Sequence, residues 1–249
     1  MSEIKVKQSL ALNKGQKLDC YIIKGIEYKL ELMVQPIISP IANTVIAYEI
    51  LSSVLMGEDN INSEDFFSNL DDSIVKSIFL SQLKVVQEGS VEKVLFTINA
   101  KLVFFFLDDD FVDQIILQYS RPFVIEITDI GTELTLESYN KIIFNIQRIK
   151  QFDILLWLDD YSHYSPDKAA SLMLIEWDCI KIDKKHLKDE EYLKVLINLF
   201  LKRFRYIVVE GIENESQLKK FTQFHVLLQG YYISKPLPIS QISTLKYHL

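Results

Sequence analysis

Acidic and amide side chains recur in this chain at one kind of place, the C-terminal end of a short β-branched or apolar run. Glu49 follows Val45-Ile46-Ala47-Tyr48, and Glu126 follows Phe123-Val124-Ile125. The pair Asp159-Asp160 follows Ile154 to Leu158, and Glu210 follows Ile207-Val208-Val209. Asn99 after Val94 to Ile98, Lys181 after Ile180 and Gln229 after Val226-Leu227-Leu228 hold equivalent positions. If these runs are strands of one parallel sheet, their C-terminal ends open on one face. Carboxylates gathered on one rim repel each other and need compensating charge. Divalent cations supply it most simply, because hard cations take oxygen ligands. The pattern points to a metal-dependent enzyme, or to a protein derived from one.

The elements that must position these residues are legible as alternating patterns. Strands are expected near 29–36, 45–51, 93–99, 122–128, 154–159, 178–183, 205–210 and 225–233. Between them, apolar residues recur close to every 3.6 positions, the mark of a helix with one buried face. Ser73 to Val86, Tyr139 to Ile149 and Tyr192 to Phe204 read this way. Ser63-Glu64-Asp65 and Asn214-Glu215-Ser216 supply capping oxygens and early negative charge, and Pro166-Asp167 suits a first helical turn. Eight strands with interposed helices imply an α/β fold, a single-domain (β/α)8 TIM-type barrel over residues 28–249. Residues 1–27 read as a short extension, too small to fold alone. An open doubly wound sheet is the alternative. No Gly-x-Gly-x-x-Gly or Gly-Lys-Ser/Thr phosphate loop follows the first strand, which disfavours a nucleotide-binding Rossmann fold. Asp108-Asp109-Asp110 reads as a solvated turn, Phe104-Phe105-Phe106 as core, and Tyr231-Tyr232 as part of the last strand.

Composition narrows the function classes. The net charge is −7, and the basic residues, Lys184-Lys185 and the Lys202 to Arg205 cluster among them, form no stripe, so duplex nucleic acid is not an expected partner. Cys20 and Cys179 are too few and too distant for a disulfide framework or a zinc site. The N-terminus shows no apolar signal region, and no apolar run approaches the ~20 residues needed to cross a bilayer. A cytoplasmic protein with no membrane partner is the expectation.

The same residues carry a family resemblance spread from about 30 to 240. Met33-Val34-Gln35-Pro36-Ile37 resembles the first-strand Tyr-Gln-Pro-Ile of EAL-domain cyclic di-GMP phosphodiesterases, and Tyr48-Glu49-Ile50-Leu51 resembles their Glu-Ala-Leu signature. Thr97-Ile98-Asn99, Glu126-Ile127-Thr128-Asp129, Leu158-Asp159-Asp160-Tyr161 and Ile180-Lys181-Ile182-Asp183 follow in family order. Val209-Glu210-Gly211-Ile212-Glu213, Gln229-Gly230-Tyr231 and Ser234-Lys235-Pro236 complete the series. The resemblance implies hydrolysis of cyclic di-GMP to linear pGpG by two Mg²⁺ or Mn²⁺ ions. It implies Glu49, Asn99, Glu126, Asp159 and Asp160 as metal ligands, and Glu49, Lys181, Glu210 and Gln229 as catalytic groups. It further implies Gln35, Glu49, Leu51, Asp183 and Pro236 at the substrate.

Three departures from the family pattern stand out. Ser53 stands where the family usually has an arginine, a bidentate phosphate ligand. Asp129 replaces a glutamate, and Tyr161-Ser162-His163-Tyr164-Ser165 replaces a loop with two glycines. Ser and Tyr do not reproduce the backbone freedom of glycine, so this loop is expected to take another path, with His163 as a candidate substitute ligand. A domain that kept the surface but lost the chemistry would be a cyclic di-GMP receptor or a protein-binding regulator. A homodimer and a regulatory protein partner are compatible with either reading. No Gly-Gly-Asp-Glu-Phe signature for synthesis of the nucleotide occurs.

Overall fold

Runs rich in Val, Ile, Leu and Phe favour extended backbone when both faces of a strand can be buried, and that condition is met here by closure. The computed structural model describes residues 5–12, 16–23, 25–88, 94–131 and 134–244. Residue 93 of the expected third strand, residues 1–4, 13–15 and 24 of the expected extension, and residues 245–249 lie outside the described residues. The strands are β1 (Lys5–Leu12), β2 (Gln16–Ile23), β3 (Ile26–Ser39), β4 (Thr44–Met56), β5 (Asp59–Ile61) and β6 (Leu95–Lys101). They continue with β7 (Phe123–Asp129), β8 (Ile154–Tyr161), β9 (Cys179–Ile182), β10 (Tyr206–Val209), β11 (Leu227–Leu228) and β12 (Leu237–Pro238). The helices are α1 (Ser63–Ser68), α2 (Asp72–Glu88), α3 (Leu102–Phe106), α4 (Asp109–Leu117), α5 (Leu136–Ile149), α6 (Pro166–Leu174), α7 (Glu190–Phe200) and α8 (Glu215–Phe221).

Among the described residues the strands β3-β4-β6-β7-β8-β9-β10-β11 pair in that order, and β11 returns to β3 to close an eight-stranded barrel. Pairing is parallel from β4 through β11. The first barrel strand corrects the expectation of a purely parallel sheet. β3 pairs antiparallel with both β4 and β11. The connection from β3 to β4 is a short turn over 40–43, too short for the crossover a parallel pair requires. β3 and β4 also run on beyond the barrel, and the hairpin of β1 and β2 adds to β3 there, so residues 16–23 join the sheet through Leu18 to Ile23. The last barrel strand is shorter than the expected 225–233; Tyr231 and Tyr232 lie in a turn, not a strand.

The helices bury the faces their spacing dictates. In α5, Thr135 caps the N-terminus by accepting from the Ser138 amide at 3.1 Å, and Ile142, Ile146 and Ile149 pack inward. Asp108 is no solvated turn residue: it caps α4 by accepting from the Phe111 amide and pairs with Lys76 at 2.6 Å. Phe105 and Phe106 are core, while Phe104 remains exposed. Inside the barrel a separate apolar layer is formed by Ile37, Ala47, Val124, Trp157, Cys179, Val208 and Leu227. Among the described residues no helix is long and apolar enough to cross a membrane.

Candidate active site

The apolar layer predicts where the polar one stands. Side chains alternate across a strand, so residues two apart project to the same side. Two positions after Ala47, Val124, Trp157, Cys179, Val208 and Leu227 come Glu49, Glu126, Asp159, Lys181, Glu210 and Gln229. Gln35 lies two positions before Ile37, as the reversed direction of β3 requires, and pairs across the ladder with Glu49. The sequence-predicted polar residues are thus brought together one step above an apolar plug. Gly230 helps fix the last of them: a Cβ there would lie 2.2 Å from the backbone N and O of Ile212, so only glycine permits the close approach.

Lys181 is the centre of the layer and is 1% exposed. Its Nζ donates to Glu49 Oε2 at 3.4 Å and to Glu126 Oε2 at 3.3 Å. It also lies 3.0 Å from Glu210 Oε1 and 2.8 Å from Asp159 Oδ1 as ion pairs. Asn99 Nδ2 donates to Glu49 Oε1 at 3.3 Å. Gln229 Nε2 donates to Glu49 Oε2 and, at 3.2 Å, to Gln35 Oε1, while Gln35 Nε2 donates to the Ser234 carbonyl at 2.9 Å.

One ammonium faces four carboxylates, and the protonation equilibria show the imbalance. Burial pushes the Glu126 carboxyl well above its ordinary range; Lys181 opposes this, and Glu49, Asp159 and Glu210 add to it. Glu210 is pushed up to about 8, again first by burial, against Lys181 and with help from Asp159 and Glu49. Asp160 stands exposed at the rim, yet loss of solvation around its carboxyl and the neighbouring Asp159 raise it too. Burial would lower the Lys181 ammonium, but the carboxylates of Asp159, Glu126, Glu210 and Glu49 reverse that and hold it well above its usual value.

The donor set fits divalent cations. Asn99 Oδ1, Glu126 Oε1 and Gln229 Oε1 are buried acceptors without a hydrogen-bond partner, as is the Thr97 hydroxyl. Unpartnered buried acceptors are rare and costly, and cation ligation is one way to satisfy them. Carboxylate oxygens of Asp159, Asp160 and Glu210 lie within 4.8 Å of one another. These are all oxygen ligands, the set that Mg²⁺ and Mn²⁺ prefer. His163 is not among them. Its ring packs with Tyr164, His186 and Tyr192 at centroid distances of 3.7, 5.1 and 4.6 Å, so the structure places it in an aromatic cluster.

Beside the charged layer opens a cavity of about 740 Å³ lined by Leu51, Ser53, Asn99, Lys101, Tyr231 and Pro236, among others. Of the residues that the resemblance implies at the substrate, Leu51 and Pro236 line this cavity, while Gln35 lies in the hydrogen-bond network beside it and Asp183 is not among the lining residues. The Asp183 carboxylate caps the following turn, accepting from the Lys185 amide at 2.9 Å and pairing with its Nζ at 2.9 Å. The Ser53 hydroxyl donates to Asn60 Oδ1 at 3.1 Å. Lys101 is the one cation among the lining residues and makes no ion pair among the described residues. From the sequence Lys101 had no assigned role, and Thr97 entered only within the Thr97-Ile98-Asn99 motif. Thr97 had a signal, since it lies two positions before Asn99 on the same strand.

Comparison with known proteins comes to the same place. Residues 25–236 match the model of the EAL domain, which covers most of the chain, and the chain belongs to that family. Solved structures share the fold. An EAL domain protein from Listeria monocytogenes EGD-e superposes with a TM-score of 0.72 at 21% identity, covering 87% of this chain and 91% of that one. The FimX EAL domain from Pseudomonas aeruginosa, bound to c-di-GMP, gives 0.68 at 18% identity, covering 88% and 93%. The Bacillus subtilis YkuI protein, in complex with substrate c-di-GMP and calcium, gives 0.67 at 22% identity, covering 84% of this chain and 55% of that one. The search of curated proteins found no match.

Proposed function

We propose that this EAL-domain chain hydrolyses cyclic di-GMP to linear pGpG with two bound Mg²⁺ or Mn²⁺ ions. The observation that carries the reading is the crowding of Glu49, Glu126, Asp159 and Glu210 around the single buried ammonium of Lys181. Glu49, Asn99, Glu126 and Asp159 would hold one ion, and Asp160, with Asp159 and Glu210 nearby, the other. Bound there, the ions would neutralise phosphoryl charge and lower the pKa of a ligated water.

The chain's own residues do the rest. Formation of pGpG joins a water oxygen to phosphorus and breaks the P–O3′ bond; the water gives up one proton and the O3′ leaving group takes one. Glu210, whose carboxylate lies 3.0 Å from Lys181 Nζ in the polar layer, is the candidate for that proton transfer. Lys181 keeps its charge when buried and donates toward anionic oxygen. Gln229 fixes the Glu49 carboxylate through its amide and keeps Oε1 available for a water. Lys101 offers the nearby cavity a cation for a phosphate, and the apolar wall of Leu51 and Pro236 suits a base.

Ser53 favours a second reading, a receptor that binds without turnover. It lines the cavity where the family usually has an arginine, so that grip on a phosphate is missing, and its hydroxyl is engaged by Asn60. The test is anion-exchange chromatography of cyclic di-GMP incubated with protein and Mg²⁺ or Mn²⁺, with Glu49→Ala as control. Metal-dependent pGpG from the parent and a loss of at least about a thousandfold in the variant, some 4 kcal/mol of transition-state stabilisation, are expected. Untouched nucleotide from protein that holds metal would contradict the enzyme and leave the receptor, which nucleotide binding by calorimetry then decides.

A further inference from the structure

The Asp159–Asp160 pair interrupts the β8–β9 ladder. Register runs Trp157↔Cys179 and Leu158↔Ile180, then resumes at Tyr161↔Ile182. Two residues of β8 therefore stand opposite the single Lys181, which is a β-bulge. Bulges re-aim side chains and leave backbone groups without ladder partners. Asp160 takes up the irregularity by entering the left-handed region, with φ of 48°. Among the described residues only one other non-glycine does so, Asn43 in the β3–β4 turn.

The carbonyls of that bulge are taken by one side chain. Lys168 Nζ donates to the Asp159 carbonyl at 2.8 Å and to the Asp160 carbonyl at 3.1 Å. Lys168 is the third residue of α6, and side chains in a helix lean back toward its N-terminus, here toward the bulge. In the segment between, Tyr161 to Ser165 contains no glycine and no residue at positive φ. The turn at Asp160 is thus tied to α6 by an ammonium held between two carbonyls.

We infer that Lys168 is a positioning residue: by fixing the left-handed turn at Asp160 it keeps that carboxylate beside Asp159 and Glu210, as a ligand of the second divalent cation. The inference rests on the two-ion reading above. Substitution of partners that orient metal ligands typically weakens metal affinity about 10–100-fold.

The experiment is Mn²⁺ titration of the full chain, with free Mn²⁺ followed by electron paramagnetic resonance. Lys168→Met is expected to bind the first ion as the parent does and the second at least about tenfold more weakly. Lys168→Arg, which keeps the charge and the donors, should restore the second ion to within about threefold of the parent. Asp160→Asn, whose side chain tolerates the left-handed region, should lose the second ion with Lys168 present, and adding Lys168→Met should then change nothing further. Two ions bound by Lys168→Met with parental affinity would overturn the inference, as would equal weakening of both ions or additive losses in the double variant. A parent that takes up only one ion would overturn the two-ion reading itself, and the role of Lys168 with it.

Discussion

Two layers of one barrel, separated by a step of two residues along the same strands, are built on opposite terms. The lower layer, from Ile37 to Leu227, is apolar apart from the Trp157 indole nitrogen, and its side chains satisfy each other by contact. The upper layer, from Gln35 to Gln229, gathers four carboxylates on one lysine and leaves buried oxygens of Asn99, Glu126 and Gln229 without partners. The first is finished when the chain folds; the second, on the two-ion reading proposed above, is finished by bound cations. The lower layer also serves the upper one, because an apolar plug keeps water from below and charges interact more strongly where water is excluded. Stability and function are thereby assigned to alternate rungs.

The comparison is broken most forcefully from the plug. Trp157→Ala should destabilise the protein by ~3–5 kcal/mol, the usual range for truncating a buried tryptophan. Denaturant unfolding would measure the loss, while Mn²⁺ binding by the folded fraction should be unchanged. Failure of metal binding in folded Trp157→Ala would mean that the layers are not separable.

pH sharpens the contrast in the ion-free protein. The Glu210 carboxyl is raised from 4.5 to about 8, so the folded state holds a proton that the unfolded state releases. A raised carboxyl contributes stability fully below the unfolded value and loses it as pH rises toward the folded one. The ion-free thermal midpoint should therefore fall between about pH 4.5 and about pH 8, and Glu210→Gln should flatten the fall. Scanning calorimetry across that window checks it. A smaller effect is expected at the cavity. Lys101→Met should weaken cyclic di-GMP binding about tenfold, or ~1.4 kcal/mol, in a calorimetric titration, without altering Mn²⁺ uptake.

Much of the upper layer was legible in the sequence because a barrel interior imposes a period of two, so an apolar run ending in a polar residue marks both strand and rim. Strand direction was not, since an extended run reads the same either way. The reversal of β3 was encoded only in the shortness of the 40–43 connection. The end of the last strand was obscured because the apolar stretch continues through Tyr232 and Ile233, although the chain turns at Gly230 against Ile212. Lys168 was hidden for a different reason: its acceptors are backbone carbonyls in a bulge, and neither a bulge nor a carbonyl has a letter in the sequence. His163 was a candidate ligand by type alone, and the three rings beside it, Tyr164, His186 and Tyr192, converge only in the fold.

Glu126 offers the most direct test of the idea that the upper layer is incomplete by itself, because it is fully buried and keeps one oxygen without a partner. The measurement is the thermal midpoint of Glu126→Gln and of the parent, each with and without Mn²⁺. Removing a carboxylate that burial already disfavours should leave the ion-free midpoint equal to or above the parent's, while the rise produced by Mn²⁺ shrinks. An ion-free midpoint well below the parent's, together with an undiminished rise on adding Mn²⁺, would contradict it.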